Sequence, residues 1–455
     1  MSTIAAISTA PGVGGIGIIR LSGEEAFVII KKVFSPQNNS KIEGYKIKYG
    51  RIVNPKTKEI IDEVLVSFFK APKSYTTEDM CEINSHGGNV IIQSILNVCL
   101  ENGAVLAEPG EFTKRAFLGG RIDLAQAEAV VDIINAKTKA EAINSEKQLE
   151  GYLSKRIKEI RKILIELMVD IEASIDYPEY DVEEVTKEAS GKSLKEALVL
   201  VKKLESTFEE GKIIKEGIRT AIVGTPNAGK SSLLNAILKE DRAIVTEIEG
   251  TTRDLIEEFV NIKGIPLKIV DTAGIRQSED LIEQIGIKKS LKAINNSELV
   301  IAIFDSTKEL SKEDLEILEL VRNKNAIIVL NKEDLNNNIV ETDKRILEMG
   351  KSIIKISALK NEGIEDIYKE IEKMFNLNEI NVNDGEIVTN TRHKEHIRKS
   401  IELVEQALEE INNNMPIDVT SISIKQALEQ LGKITGDSVS EDIIKEIFLK
   451  FCLGK

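Results

Sequence analysis

Cysteine is scarce in this 455-residue chain, and its scarcity excludes one large class of proteins. Cys81, Cys99 and Cys452 are too few and too scattered for the disulfide framework of a secreted domain. A reducing compartment keeps such thiols free, so the sequence predicts a cytoplasmic protein.

Long apolar runs are missing as well. No stretch approaches the roughly 20 apolar residues that a helix needs to cross a bilayer, so we expect no membrane partner. The first 23 residues lack the basic start of a signal peptide, and Pro11, Gly12, Gly14 and Gly15 interrupt them.

Basic residues are outnumbered, because 61 Lys and Arg face 75 Asp and Glu and leave a net charge of −14. This balance argues against a protein that coats nucleic acid, since affinity for phosphates comes from clustered Lys and Arg. It is compatible with a local basic patch. The length predicts about three domains, and the composition is typical of globular proteins.

Glycine and proline are also scarce in the middle of the chain, where helical periodicity dominates. Residues 123–176 and 187–204 carry apolar residues three and four apart, which predicts long amphipathic helices separated at Pro178. Residues 377–455 return to this pattern. For most of these residues, a helical scaffold is the simplest interpretation.

The first 118 residues show an α+β pattern in which a glycine turn separates two predicted strands. Gly12, Gly14 and Gly17 in that turn fit the dinucleotide-binding pattern G-x-G-x-x-G. A strand is predicted to follow instead of the required helix, so we reject that function. The predicted strands are Ile4–Ile7, Ile16–Leu21 and Glu63–Phe69, and the predicted helices are Asn89–Leu100 and Glu24–Phe34, the latter capped by Ser22.

Residues 214–376 alternate short buried strands with helices, which predicts a doubly wound parallel sheet. The predicted strands are Arg219–Val223, Leu267–Val270, Leu299–Phe304, Ala326–Leu330 and Ile353–Ile356. Helical segments on both sides indicate that this domain is inserted into an all-α domain. The predicted domains are therefore 1–118 (α+β), 119–213 (helical, first part), 214–376 (nucleotide-binding) and 377–455 (helical, second part).

The first strand of the nucleotide domain leads into residues 224–231, which fit the phosphate-binding pattern G-x-x-x-x-G-K-[ST]. Backbone N–H groups and a helix N-terminus favour phosphate there, and the two glycines let the backbone approach it. Lys230 brings a positive charge to the β- and γ-phosphates, and Ser231 offers a hydroxyl to Mg²⁺.

Four further elements follow this loop in order: Gly250–Asp254, Asp271–Gly274, Asn331–Asp334 and Ser357–Leu359. The third, the base-binding motif, specifies GTP. Asp334 can accept two hydrogen bonds from guanine N–H groups that adenine lacks, and Lys332 can cover the base with its aliphatic stem. ATP is therefore the weaker alternative. The predicted GTP-binding residues are Gly224, Asn227, Ala228, Gly229, Lys230, Ser231, Ser232, Thr246, Glu247, Ile248, Glu249, Gly250, Thr251, Thr252, Asp271, Thr272, Ala273, Gly274, Asn331, Lys332, Asp334, Ser357, Ala358 and Leu359.

The glutamine that orients the attacking water in Ras-like GTPases is missing. Ile275 follows the glycine of Asp271-Thr-Ala-Gly274, so either hydrolysis is very slow or another group takes over. The carboxylates that follow nearby are Glu279, Asp280 and Glu283. Arg253 and Arg276 are candidates for an arginine finger, although a surface role is the safer interpretation.

Motifs along the whole chain are more specific than any GTPase element. They are Pro11–Gly17, Ser74–Asp79, His86–Gly88, Pro109–Phe112, Arg115–Leu118, Asp123–Ala129, Gly250–Asp254 and Phe451–Lys455, together with the phosphate-binding loop. In this combination the chain resembles, from end to end, the MnmE (TrmE) family of tRNA-modification GTPases.

The resemblance implies a homodimer joined by the N-terminal domains, each of which would bind a tetrahydrofolate derivative (5-formyl or 5,10-methylene). The implied folate-binding residues are Arg20, Glu82, Arg121 and Lys455. The resemblance further implies a heterotetramer with the flavoprotein MnmG (GidA), which uses FAD and NADH. The pair would add an aminomethyl or carboxymethylaminomethyl group to C5 of the wobble uridine of certain tRNAs.

The resemblance also implies what takes over the role of the missing glutamine. Nucleotide domains of this family dimerise around a potassium ion. Glu283 would orient the attacking water, and Cys452 becomes a candidate catalytic residue near the modification site. The implied metal ligands are Ser231 and Thr252 for Mg²⁺, and Asn227, Thr246, Ile248 and Thr251 for K⁺.

An alternative from another functional class is a GTPase switch that binds RNA or ribosomes and performs no modification chemistry. Such a switch needs neither a folate pocket nor the terminal Phe451–Lys455 motif. The regions that flank the nucleotide domain therefore distinguish the two hypotheses.

Overall fold

The computed structural model of the chain describes residues 2–38, 44–176, 183–240, 258–262, 264–270, 291, 293–335, 343–377, 387–452 and 454. Contacts between residues divide the chain into two compact units. The first unit comprises residues 1–131, 148–197 and 399–455, and the second comprises residues 132–147 and 198–398. This division leaves the bounds of the four predicted domains as predictions.

Strands and helices alternate in blocks along the described chain. The strands are β1 Ile4–Ile7, β2 Gly14–Ser22, β3 Phe34–Pro36, β4 Lys46–Val53, β5 Ile60–Phe69, β6 Met80–Gly87, β7 Val105–Leu106, β8 Ile218–Val223, β9 Glu258–Ile262, β10 Ile265–Ile269, β11 Leu299–Asp305, β12 Ala326–Asn331 and β13 Ser352–Ile356. The helices are α1 Ala26–Val33, α2 Asn89–Glu101, α3 Glu111–Leu118, α4 Leu124–Asn135, α5 Lys139–Leu149, α6 Tyr152–Asp176, α7 Glu183–Ser206, α8 Phe208–Glu216, α9 Lys230–Glu240, α10 Lys312–Val321, α11 Lys344–Leu347, α12 Ile364–Met374, α13 Thr391–Asn412, α14 Ile417–Thr435 and α15 Glu441–Phe448.

The first unit begins with a seven-stranded sheet in the order β3-β4-β5-β6-β2-β1-β7. Helices α1 and α2 pack on this sheet, and their apolar faces form its core, as Ile29, Ile30 and Ile95 are fully buried. This burial explains why the apolar periodicity of residues 89–100 predicted a helix correctly.

Two details of the N-terminal prediction are wrong. Ser22 does not cap α1, because it ends β2 and its hydroxyl lies 2.6 Å from Thr76 Oγ1 and 2.7 Å from Glu78 Oε2. Helix α1 ends at Val33, and Phe34 begins β3. The strand predicted at Ile16–Leu21 is confirmed as part of β2, where a dinucleotide-binding motif would require a helix.

The helices of the first unit come from both sides of the nucleotide region. Helix α6 packs along α14, and Ile157, Ile160 and Leu164 of α6 are fully buried. Sequence-distant helices therefore share one core, as expected when another domain is inserted between them. Among the described residues, no helix is both long enough and apolar enough to cross a membrane.

The second unit contains a six-stranded sheet in the order β13-β12-β11-β8-β10-β9. Five of its strands run parallel, and each lies within two residues of a predicted one at both ends. The prediction of a purely parallel sheet is wrong at one edge, because β9 pairs antiparallel with β10. Apolar clusters cover both faces of this sheet, which is the doubly wound arrangement.

Candidate functional site

The phosphate-binding loop joins β8 to the N-terminus of α9, as the motif requires. Lys230 Nζ donates hydrogen bonds of 2.8 Å to the carbonyl oxygens of Gly224 and Thr225. Gly229 has φ +105°, and a Cβ there would lie 2.0 Å from Asn331 Nδ2. Only glycine fits this position, because the loop backbone packs directly against the Asn331 side chain.

The Lys230 side chain is partly buried. Burial lowers its pKa below the ordinary lysine value, and the nearby Asp314 carboxylate opposes this effect. Asp314 also accepts a hydrogen bond of 3.0 Å from Thr225 Oγ1, so it contacts the loop directly. A partly desolvated cation favours an anionic ligand, which is what a nucleotide phosphate supplies.

The base end of the site is assembled by three predicted elements. Asn331 Nδ2 donates to the Ala228 carbonyl at 2.9 Å, and its Oδ1 accepts from the Ala358 N–H at 3.0 Å. Ser357 Oγ donates to Asp334 Oδ1 at 2.7 Å. The structure therefore brings Asn331, Asp334, Ser357 and Ala358 together beside the phosphate loop.

Lys332 lies at the same end and has a partner that sequence reasoning missed. Its φ of +71° is left-handed, and its Nζ lies 2.6 Å from Asp305 Oδ2. Burial raises the pKa of Asp305, but hydrogen bonds from Lys332 and Thr307 outweigh this and lower the pKa overall. Asp305 and Asp314 belong to no nucleotide motif, so no pattern in the sequence pointed to them.

Part of the predicted site lies outside the described residues. These positions are Thr246, Glu247, Ile248, Glu249, Gly250, Thr251, Thr252, Asp271, Thr272, Ala273, Gly274 and Glu283, together with Ile275 and, in the other unit, Lys455. Their roles stay predictions.

A second candidate site lies in the first unit, where a cavity of about 620 Å³ opens beside the sheet. Its lining residues are Arg20, Phe69, Pro72, Lys73, Ser74, Tyr75, Met80, Glu82 and Arg121. Three of the four predicted folate-binding residues are therefore brought together. Arg20 and Glu82 lie opposite each other on β2 and β6, and an ion pair of 2.8 Å joins them.

Tyr75 connects the cationic residues of this cavity. The Arg121 guanidinium lies 4.8 Å from the Tyr75 ring centroid, and Arg121 Nη1 donates to the Tyr75 carbonyl at 3.2 Å. The Arg20 guanidinium lies 5.6 Å from the same ring and 5.5 Å from the Phe112 ring. The Ser74–Asp79 motif marked this segment, but sequence reasoning gave Tyr75 no role.

The C-terminal tail reaches the same cavity. The Gly454 carbonyl accepts hydrogen bonds from Arg20 Nη1 at 3.2 Å and from Ser8 Oγ at 3.1 Å. Gly454 has φ +83°, and a Cβ would lie 2.2 Å from the Ile7 carbonyl oxygen, so the contact requires glycine. Phe451 is buried against Phe448, with ring centroids 4.9 Å apart.

The three cysteines are free, and they differ in environment. Burial raises the pKa of the Cys99 thiol to about 12 and raises that of Cys81 in the same direction, so neither forms a thiolate readily. Cys452 is exposed, and its carbonyl accepts from the Gly110 N–H at 3.3 Å. Cys452 is therefore the accessible thiol among them.

Two family models and several curated proteins match the chain along almost its whole length. A family model described as the MnmE helical domain matches residues 124–452, and one described as the N-terminus of the GTP-binding protein TrmE matches residues 3–121. The tRNA modification GTPase MnmE of Thermoanaerobacter pseudethanolicus (strain ATCC 33223 / 39E) is 49% identical over 456 residues, which cover 100% of this chain and 99% of that protein.

The tRNA modification GTPase MnmE of Clostridioides difficile (strain 630) is also 49% identical, over 458 residues that cover 100% of this chain and 99% of that protein. Among solved structures, the G domain of the T. maritima FeoB iron transporter matches 34% of this chain and 97% of its own, with 23% identity and a TM-score of 0.26. On the identity to curated relatives along its whole length and on both family models, the chain belongs to the MnmE (TrmE) family of tRNA modification GTPases.

Proposed function

We propose that this GTPase is activated by K⁺ and modifies the wobble uridine of certain tRNAs together with a flavin-dependent partner, MnmG (GidA). The product carries an aminomethyl or carboxymethylaminomethyl group on C5, and the one-carbon unit comes from a tetrahydrofolate derivative. Membership of the family supports GTP hydrolysis in tRNA modification. The chemistry, the carbon donor and the partner form the proposal.

The cavity at Arg20, Glu82 and Arg121 is the observation that supports the folate assignment most directly. Its two guanidinium groups suit the carboxylates of a glutamate tail. Glu82 Oε1 takes both contacts from Arg20, and no other hydrogen bond within the described residues reaches Oε2, which can accept an N–H of a pterin. The Tyr75 ring offers an apolar face to a flat heterocycle.

Tetrahydrofolate, as its 5-formyl or 5,10-methylene derivative, would supply the one-carbon unit when bound. Arg20, Glu82 and Arg121 hold it, and Lys455 adds a fourth polar contact from the tail that already reaches Arg20 through Gly454. Cys452, which is exposed and lies two residues before Gly454 in the chain, is the candidate catalytic thiol.

The nucleotide site provides hard oxygen ligands, which suit Mg²⁺ and K⁺. We assign Ser231 and Thr252 to Mg²⁺, and Asn227, Thr246, Ile248 and Thr251 to K⁺. Asn227 has a left-handed φ of +64° within the loop, and Ser231 lies in the first turn of α9. Glu283 orients the attacking water in place of the glutamine that Ile275 replaces.

The proposed assembly is a homodimer that joins MnmG in a heterotetramer, where MnmG contributes FAD and NADH. The tRNA is the shared substrate. The free state of all three cysteines supports a cytoplasmic location.

The folate assignment is tested with Glu82→Gln and a matched control, Glu63→Gln. Glu63 pairs with Arg51 on the neighbouring strands β4 and β5 and does not line the cavity. By calorimetric titration with 5-formyltetrahydrofolate, Glu82→Gln should weaken binding about tenfold or more, because a charged hydrogen-bond acceptor is lost. Glu63→Gln should bind like the parent. Equal affinity in the parent and both variants would show that Glu82 does not contact the pterin.

The modification itself is tested by mass spectrometry of wobble uridines from cells that lack this protein. Loss of the C5 substituent, restored by the parent gene and not by the Glu82→Gln variant, supports the proposal. Unchanged wobble uridines would favour the alternative, a GTPase switch that binds RNA or ribosomes.

A further inference from the structure

Residues 305–314 connect the end of β11 to the first turn of α10 and contain none of the GTPase motifs. This β11–α10 segment nevertheless contacts both ends of the nucleotide site. At one end Asp305 pairs with Lys332, which belongs to the base-binding motif. At the other end Asp314 accepts a hydrogen bond from Thr225 of the phosphate loop.

We propose that the β11–α10 segment is a positioning element that holds the two halves of the nucleotide site in their binding geometry. Asp305 directs Lys332 towards the base, and Asp314 fixes the phosphate loop through Thr225. The inference rests on the assigned GTP site, and it concerns residues that no nucleotide motif includes.

At the base end, the geometry of Lys332 requires external support. A non-glycine residue at φ +71° is strained, and such strain persists only where the surroundings impose it. Asp305 provides that support from a fixed position, because it lies opposite Asn331 in the β11–β12 register. Thr307 donates to the Asp305 carboxylate from its N–H at 3.1 Å and from Oγ1 at 2.7 Å.

The ion pair between Asp305 and Lys332 is shielded from water. The side chains are 11% and 29% exposed, so solvent screens the pair less than a surface pair. Because the Asp305 carboxylate is already oriented by Thr307, little conformational freedom is lost when Lys332 binds it. The aliphatic stem of Lys332 is thereby held ready to cover a base.

At the phosphate end, one buried carboxylate makes two sets of contacts. Asp314 is 9% exposed, and its Oδ2 accepts from the Ser311 N–H at 3.0 Å within a capping box at the start of α10. Its Oδ1 accepts from Thr225 Oγ1 at 3.0 Å. The Thr225 carbonyl in turn accepts from Lys230 Nζ at 2.8 Å. Thr225 therefore connects the helix cap to the phosphate-binding lysine: its hydroxyl donates to Asp314, and its carbonyl accepts from Lys230.

The phosphate end is tested with Thr225→Val, which replaces the hydroxyl with a methyl group, and Thr225→Ser, which keeps the hydroxyl. Loss of a hydrogen bond to a charged group predicts that Thr225→Val weakens GTP and GDP binding about tenfold and raises KM by a larger factor than it lowers kcat. Thr225→Ser should restore the parent affinity. Guanosine, measured by displacement of labelled GDP, should bind Thr225→Val like the parent.

The base end is tested with Asp305→Asn and the matched control Asp343→Asn, which breaks an ion pair with Arg345 at the start of α11. Asp305→Asn should weaken the binding of guanosine, GDP and GTP by the same factor, because Lys332 contacts the base and all three ligands contain it. Asp343→Asn should bind all three like the parent.

Parent affinities in both Thr225→Val and Asp305→Asn would overturn the inference. So would an equal loss of guanosine binding in Thr225→Val and Asp305→Asn, because the segment would then be a general scaffold without separate ends. A parent protein that bound no GTP would instead refute the nucleotide site, so the two failures are distinguishable.

Discussion

At the scale of single residues, the selection of guanine over adenine depends on one carboxylate. Asp334 Oδ1 accepts a hydrogen bond from Ser357, whose own position is fixed by a backbone pairing with Glu362. The carboxylate is thus oriented before a base arrives, and guanine presents two N–H donors that match it. Adenine presents no such pair, so one side chain can separate the two purines.

Asp334→Asn should weaken the binding of GTP and strengthen the binding of xanthosine triphosphate. Hydrogen bonds to a charged group contribute about 1.5–3 kcal/mol, which corresponds to a loss of roughly 10- to 150-fold for GTP. The asparagine NH₂ faces the guanine N–H groups unfavourably but can donate to the xanthine 2-oxygen. Titration of both nucleotides checks this, and equal GTP affinity in variant and parent would show that the base pocket is wrongly assigned.

At the scale of elements, the predictable parts are those whose signal is local. Strand β11 is a continuous apolar run that is buried on both faces, and this pattern identified it in the sequence. The phosphate loop was predicted for the same reason, since its glycines, lysine and flanking elements are contiguous.

Elements whose form depends on distant partners were missed. Strand β7 has two residues and exists because it pairs with β1, and β9 is an edge strand defined by its pairing with β10. A serine hydroxyl at position 22 suggests a helix cap from the local sequence. It instead forms hydrogen bonds with Thr76 and Glu78, which lie more than 50 residues away. The contacts of Asp305 and Asp314 are tertiary too, and no short pattern contains them.

The segments after the phosphate loop should make hydrolysis dependent on potassium. The motivation is Ile275, which cannot orient water, together with Asn227 in the loop. Turnover should rise strongly when K⁺ replaces Na⁺ at constant ionic strength, and K⁺ should promote contact between nucleotide domains. Steady-state phosphate release and light scattering measure the two effects. A rate indifferent to the cation contradicts the K⁺ assignment.

Glu283→Ala should lose turnover while it keeps nucleotide affinity, because a residue that orients water acts only in the transition state. The matched control is Glu279→Ala, a nearby carboxylate without an assigned role. Comparison of kcat with the affinity for GTP separates the two quantities. A fully active Glu283→Ala protein would show that Glu283 takes no part in the catalytic step.

At the scale of the whole molecule, the two candidate sites belong to different compact units. The described nucleotide residues all lie in the second unit, whereas the cavity and the C-terminal tail lie in the first. Each site is formed mostly by contacts within its own unit, such as Arg20 with Glu82 or Asn331 with Ala358. A substitution that disables one site should therefore leave ligand binding at the other site intact, even though the proposed modification reaction uses both.

Deletion of residues 452–455 tests this separation. The deletion removes the Gly454 carbonyl that accepts from Arg20 and Ser8, and with it Lys455 and Cys452. GTP affinity and K⁺-dependent hydrolysis should stay close to the parent values. Binding of 5-formyltetrahydrofolate should weaken, and wobble-uridine modification should be abolished. The three measurements are made on the same purified protein.

Single substitutions then show which part of the tail acts. Lys455→Ala should weaken folate binding, because it removes a cation, and Cys452→Ser should leave folate binding unchanged but lower modification if the thiol takes part in the chemistry. Unchanged folate affinity in the truncated protein would show that the tail does not contribute to folate binding in the cavity. Normal modification in the truncated protein would mean that the buried Phe451 is enough to anchor this end of the chain, and that Cys452 is an inert surface thiol.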